Sequence, residues 1–265
     1  DLDEGAFVDP NPDDFINWTC GYSYGDIEKT YKEEQTWIKE TYLWAVFEDK
    51  TMTDYILRVC SSFLKQENPE EVAYFWLGNG RNSKGTLTKL LMEAMGKYYG
   101  ELNLGYYTAY SKGEDAPNNN LYNLRNPRLC NTAETGEDDR DSNKAQKFNT
   151  QKFKVATRGD KMTARQPHEK EQVEFVMGHI LIQTNVMPEL VGIHLPNNIS
   201  LRERVIICPF PFSFVVDIRK EKEKNPDLKY KQRDNTLKSK FEQPEYKLAF
   251  IRLLLDNYKN YKVKG

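Results

Sequence analysis

The sequence predicts an α/β protein, with a mainly parallel sheet in the middle of the chain and a helical piece on either side. Three observations support this. Apolar residues recur at helical spacing near both ends. Between them lie four short apolar runs, two of which, Leu129–Ala133 and His179–Thr184, end abruptly in polar residues, and such unbroken runs are typical of strands buried on both faces. The first of these runs passes through a glycine-rich loop directly into another helical pattern, the strand–loop–helix unit of layered α/β folds.

Taken in order, Ile27, Tyr31, Ile38, Tyr42, Ala45 and Val46 form one helical stripe from Ile27 to Phe47. A second stripe, Met52, Ile56, Val59, Cys60 and Phe63, is opened by Thr51 and Asp54 at the spacing of a capping box. Asn68 and Pro69 interrupt, and the branched and aromatic run Val72–Leu77 reads as a buried strand. After Gly78–Thr86, the residues Leu87, Leu90, Leu91, Ala94, Met95 and Tyr98 return to helical spacing, ended by Gly100. Leu129–Ala133, His179–Thr184 and Val205–Cys208 are the remaining strands of the sheet, with Asn118–Asn120 and Asn126–Pro127 as loops. Met162–Arg165 and Val173–Phe175 alternate in polarity around Pro167, His168, Glu169 and Lys170, the pattern of a β-hairpin. Beyond Phe214 the chain is densely charged to about Arg233, and Leu248, Ile251, Leu254, Leu255 and Tyr258 then share one helical face. The organisation expected is a linker and helical region at 1–70, a core at 71–215 and a C-terminal helical region at 216–265.

Composition narrows the function. The chain has 265 residues, 38% of them hydrophobic and 29% charged, with a mean hydropathy of −0.77. No stretch approaches the roughly 18 apolar residues of a membrane helix, and no secretory signal core is present, so a soluble intracellular protein without a membrane partner is expected. The acidic segment Asp1–Asp14 reads as the linker of a fragment cut from a longer chain. Cys20, Cys60, Cys130 and Cys208 include no C-x-x-C pair, and His168, His179 and His194 are far apart. Zinc sites, disulfide frameworks and Ser-His-Asp catalysis are poorly supported, and buried thiols in a reducing compartment fit better. A net charge of −2 rules out a global field attracting polyanions, so nucleic-acid binding has to be local. The segment Lys144–Lys170, with eight basic residues against Asp160 and Glu169, is where that could happen; the plainer alternative is a solvated face.

The chemistry concentrates in the loop GNGRNSKGT: Gly78, Asn79, Gly80, Arg81, Asn82, Ser83, Lys84, Gly85 and Thr86. Between a buried strand and a helix, glycines let backbone N–H groups curl around a phosphate, the helix N-terminus adds positive potential, and a solvent-facing Lys84 reaches the outer phosphates. Ser83 stands where the general loop has glycine and Gly85 where it has Ser or Thr, which leaves Thr86 as the hydroxyl on the magnesium side. Glu134, ending the strand RLCNTAE, is the acid able to orient Mg²⁺ and polarise water. Glu137, Asp138 and Asp139 beyond it read as a solvated loop. Asn185, closing the run HILIQTN, can hold water or sense a phosphate, or simply make a turn. Arg202 and Arg204 precede the last sheet strand, either as salt-bridge residues or as arginines reaching a neighbouring subunit.

Phosphate loop, acid-ended strand, the basic run K-x-x-T-x-G-D-x-x-T-A-R, strand ending in Asn, then Arg before an apolar strand: this order resembles the superfamily 3 helicases. The nearest likeness is to the helicase half of primase-helicases of poxviruses and other nucleocytoplasmic large DNA viruses, with related phage and plasmid primases. It covers about Val72–Phe214 well and the flanks more loosely. The resemblance implies an AAA+ P-loop NTPase core that forms hexameric rings on single-stranded or forked DNA, uses ATP and Mg²⁺, and lies downstream of a primase domain, at the site of viral replication if viral. It further implies that Lys84 binds phosphates, Glu134 is the Walker B acid, Asn185 is the sensor, and an arginine of the pair acts in trans. The DNA-contacting hairpin would lie in Lys154–Phe175, with Lys161, His168 and Lys170 at or near its tip and Lys154 and Arg165 supporting its base. Besides Ser83, two departures from the family pattern stand out. Arg158 occupies the place of a common glycine, and Glu203 takes the first place of an Arg-Arg pair, which makes Arg204 the better-aligned finger. Two rival functions remain: an oligomeric nucleic-acid-binding or packaging module with weak ATPase activity, and a small-molecule kinase.

Overall fold

Along the chain, helix α1 (Lys50–Ser62) precedes strand β1 (Ala73–Leu77) and helix α2 (Lys84–Met95). Strands β2 (Tyr99–Glu101) and β3 (Leu129–Ala133), helix α3 (Thr150–Arg158), and strands β4 (Lys161–Ala164), β5 (Val173–Val176) and β6 (His179–Thr184) come next. Helix α4 (Ile199–Arg202), strands β7 (Val205–Pro209), β8 (Phe212–Val215) and β9 (Lys229–Gln232), and helix α5 (Pro244–Lys264) complete the chain. This computed structural model describes all residues except 1, 3, 5–7, 10, 15, 17, 108–117, 134–146, 188, 191–198 and 265. The chain forms two interleaved units: Gln66–Asn79 with Tyr99–Pro209, and Asp1–Lys65 with Gly80–Tyr98 and Phe210–Gly265.

The first unit holds a five-stranded parallel sheet in the order β2-β3-β6-β1-β7. β1 and β6 are interior and almost wholly buried, which is why they read as unbroken apolar runs rather than alternating ones. One face of the sheet supplies Ala73, Phe75, Cys130, Ile180 and Ile182 to a core completed by Phe153 and Ala156 of α3, Tyr107, and Met162 and Phe175 of a hairpin. Phe153 is the hub, its ring 6.1 Å from Phe75 and 6.2 Å from Tyr107. The α/β class with a parallel sheet is therefore observed as expected. Asn118, expected in a loop, instead caps a short helix, Asn119–Tyr122, by accepting from the Leu121 amide at 3.1 Å.

In the second unit α5 packs along α1 and α2. The single helix expected over Ile27–Phe47 is interrupted: Tyr24–Glu28 forms one short helix, Tyr31 turns left-handed (φ 44°), and Lys32–Thr36, Trp37–Leu43 and Trp44–Phe47 run on, the middle piece wound as a π-helix. Its aromatic face meets Phe241 and Tyr246, with the Tyr42 and Phe241 rings edge-on at 4.9 Å and Lys240 over Trp37 at 4.1 Å. α2 ends at Gly96 rather than at Gly100, because Gly96 takes a positive φ (55°) and a Cβ there would lie 2.4 Å from the Cys20 carbonyl oxygen. The charged stretch after Phe214 contains β9, which pairs in parallel with β8. Cys60, Cys130 and Cys208 are buried thiols, and burial pushes those of Cys130 and Cys208 up to about 12. No helix among the described residues is long and apolar enough to cross a membrane.

The start of α1 departs from the sequence reading in a testable way. Asp49, not Thr51, is the N-cap: its carboxylate accepts from the Thr51 and Met52 amides at 2.7 and 3.1 Å, while Asp54 is ion-paired with Lys39 at 2.8 Å. Urea unfolding of Asp49→Ala is expected to show a loss of about 1 kcal/mol, against a few tenths for Thr51→Ala. Equal losses would mean that the cap is misassigned.

Candidate active site

β1 lies between β6 and β7, and its ladder extends one step beyond the strand, the Gly78 amide donating to the Thr184 carbonyl at 3.4 Å. The chain then turns through Gly80 (φ 82°), Arg81 (φ 51°) and Ser83 (φ 70°) before α2 begins at Lys84. Three left-handed residues in four make a tightly coiled loop, and only one of the three is glycine. Arg81 and Ser83 each bear the clash of a Cβ with the backbone, about 1 kcal/mol apiece. Ser83 thus adopts the conformation that the glycine it replaces would take. Its carbonyl accepts the Thr86 and Leu87 amides at 3.1 and 3.0 Å, closing the first turn of α2. The Tyr42 hydroxyl, buried and held well above its ordinary pKa by that burial, faces Ser83 without closing a hydrogen bond to it.

Lys84 is only 7% exposed, contrary to the expectation of a solvent-facing lysine. Thr88 donates to its carbonyl at 3.0 Å. Asn82 is buried too, and its Nδ2 has no partner among the described residues. Gly85 is exposed and Thr86 half-buried. Two loop carbonyls are tied down by β8: the Ser213 hydroxyl donates to Gly80 at 3.1 Å, and the Phe214 amide to Arg81 at 2.7 Å. Sequence reasoning missed both residues, since their partners in the loop lie 133 positions upstream.

The register of the sheet brings the ends of β1, β6 and β3 level with one another. Leu77 pairs with Thr184 and Ala133 with Gln183, so the residues that follow β1, β6 and β3 leave the sheet at the same carboxyl end. Asn185 stands there, exposed. Glu134 follows β3 directly but lies outside the described residues, as do Glu137, Asp138 and Asp139. Just behind this edge a buried bridge that the sequence did not suggest, Gln183 Nε2 to Asn131 Oδ1 at 2.9 Å, locks β6 to β3.

The two arginines are not alike. Arg204 sits at the amino end of the sheet, where its carbonyl accepts the Ala73 amide at 2.8 Å. Its guanidinium pairs with the Glu71 carboxylate at 2.7 Å and donates to the Glu71 carbonyl and the Thr157 hydroxyl at 3.2 and 3.5 Å. With its side chain 16% exposed, it is held within its own chain, as a salt-bridge residue would be. Arg202, the less favoured of the pair on sequence grounds, is exposed at the end of α4 and makes no hydrogen bond or ion pair among the described residues.

The hairpin forms as expected, β4 antiparallel to β5, but two of its basic residues trade places. Lys161 pairs in register with Val176 and Ala164 with Val173, so Lys161 lies at the base, ion-paired with Glu174 at 3.0 Å, whereas Arg165 enters the turn. His168 (φ 70°) and Lys170 are exposed in the turn, and Lys154 is half-buried on α3, whose start is capped by Asn149. Lys144 lies outside the described residues.

No family model matches the chain. Two curated relatives, each named "Putative helicase", do: L207/L206 of Acanthamoeba polyphaga mimivirus, 27% identical over the full chain, and V13 of Sputnik virophage, 30% identical over 72% of it. The chain spans about a quarter of each relative's length, 26% and 23%. Among solved structures, the C-terminal region of NrS-1 shares the fold, with a TM-score of 0.54 and 13% identity over 82% of this chain and 45% of that one.

The loop's strain is open to a direct test. Ser83→Gly should raise the unfolding free energy by about 0.5 kcal/mol, relief of the left-handed Cβ clash outweighing the extra freedom of glycine in the unfolded chain. A loss above 1 kcal/mol in urea unfolding would instead make the Ser83 side chain a support of the loop. The order of motifs, which resembles that of superfamily 3 helicases, is thus accompanied by similarity along the whole chain to a viral putative helicase and by a fold shared with the NrS-1 C-terminal region.

Proposed function

We propose that this chain is the ATP-hydrolysing motor of a DNA helicase belonging to a viral type of replication protein. In this reading residues 71–215 form an AAA+ core, 1–70 and 216–265 form its helical flanks, and a primase domain lies upstream. The observation that carries it is the loop after β1, coiled left-handed at the carboxyl end of an interior parallel strand, with a buried lysine at the first position of the following helix. The names of the two viral relatives agree with it.

The donor set suits a nucleoside triphosphate with Mg²⁺. Loop amides and the start of α2 offer N–H groups to phosphate oxygens, and Lys84 adds a cation. Thr86 offers a hydroxyl and Glu134 a carboxylate to the metal. When bound, Mg²⁺ neutralises phosphate charge. Glu134 orients the attacking water and accepts its proton, and Asn185 holds that water or the terminal phosphate in line. Because Ser83 takes up the glycine conformation, the altered motif keeps the shape of the loop, which favours this reading over a module with vestigial ATPase activity. Arg202 rather than Arg204 is the group free to reach the nucleotide of a neighbouring copy, so a homo-oligomeric ring, a hexamer by resemblance, completes the site. The turn bearing Arg165, His168 and Lys170, with Lys154 and Lys161 behind it, is the surface for the phosphates of single-stranded DNA.

Two experiments test this. Purified oligomer should hydrolyse ATP faster with single-stranded DNA than without, Lys84→Ala should lower the rate on the order of 10²-fold or more, and Glu134→Gln should bind ATP without turnover. A rate indifferent to DNA would favour the packaging-module reading, and DNA-independent transfer to a small acceptor a kinase. For the trans role, Arg202→Ala and Lys84→Ala proteins, each inactive alone, should regain hydrolysis when co-assembled, the finger contributing on the order of 10³ in rate. Recovery with Arg204→Ala and none with Arg202→Ala would reverse the assignment.

A further inference from the structure

The two bonds from β8 to the phosphate loop have a directional consequence. In a planar trans peptide the carbonyl of one residue and the N–H of the next point in opposite directions. The Ser213 hydroxyl draws the Gly80 carbonyl toward β8, and the Phe214 amide draws the Arg81 carbonyl the same way. The N–H groups of Arg81 and Asn82 therefore face away from β8, side by side. Successive amides in such a turn form a concave site for an anion. Among the described residues neither of these two amides donates to a backbone carbonyl.

β8 is itself firmly seated. It pairs in parallel with β9, Ser213 opposite Tyr230 and Phe214 opposite Lys231. Lys231 lies 3.8 Å from the centre of the Phe212 ring, is ion-paired with Glu48 at 2.8 Å and donates to the Ala45 carbonyl. The helix ending at Phe47 thus anchors the strand that aims the loop. We infer that β8 is a brace for phosphate recognition and that Ser213 is its positioning residue, directing the Arg81 amide at a phosphate oxygen of the nucleotide without touching the ligand. This rests on the nucleotide reading of the loop and assigns part of the nucleotide site to a segment beyond the sheet.

The test is the affinity of the full chain for a fluorescent ADP analogue with Mg²⁺, measured on the parent, Ser213→Ala, Ser213→Thr and Lys84→Ala. Ser213→Ala is expected to bind roughly tenfold more weakly, the effect of losing one buried hydrogen bond, and Ser213→Thr, which keeps the hydroxyl, to bind within about threefold of the parent. In hydrolysis, KM for ATP should rise by a larger factor than kcat falls. Parent-like binding by Ser213→Ala, with binding lost in Lys84→Ala, would overturn the brace and leave the loop reading intact; parent-like binding by both would overturn both. If Ser213→Ala does not fold, Lys231→Met, which releases β9 from Glu48 and Ala45 without touching the loop, should weaken binding severalfold, and unchanged affinity there overturns the brace.

Discussion

A strand buried on both faces in a parallel sheet must leave that sheet with its backbone groups still satisfied, and this constraint at the end of β1 shapes everything around it. Gly78 remains on the ladder, Gly80 and Arg81 hand their carbonyls to β8, and Ser83 hands its own to the first turn of α2. Three of the loop's carbonyls are thus accounted for within the protein. The amides are what the loop has to offer, and that asymmetry makes the segment suited to a polyanion.

The parts of the fold read correctly from sequence are those in which local chemistry and tertiary environment agree. Val72–Leu77 and His179–Thr184 read as interior strands because each is short and mostly apolar with no alternation to an exposed face, and the hairpin was visible in its alternation around Pro167. Errors arose where the deciding partner is remote or a single residue competes with its neighbours. Asp49 outbids Thr51 as a cap because its carboxylate reaches two amides at once. Gly96 rather than Gly100 ends α2 because of the Cys20 backbone, a neighbour 76 positions away along the chain in a segment of no evident structure.

The candidate site was legible to a similar degree. Gly78–Thr86 announces itself by composition and by its place between strand and helix. Ser213 does not, since its contribution depends on a loop far upstream. The arginine pair shows the limit of alignment: Arg204 occupies the better position in the motif, yet Glu71 and Thr157 claim its guanidinium, while Arg202 is exposed. No local pattern distinguishes a bound arginine from a free one when its partner is a glutamate just ahead of a distant strand.

The span between Gly80 and Ser213 also sets a timetable. The bond joins residues 133 positions apart. At about 5–20 residues per second, a ribosome needs roughly 7 to 27 seconds to supply the second partner after the first. A growing chain therefore carries its loop without the Ser213 bond throughout that interval. The bond can close only after all five strands of the parallel sheet, the last ending at Pro209, have left the ribosome, so the loop is fastened after the sheet it leads out of.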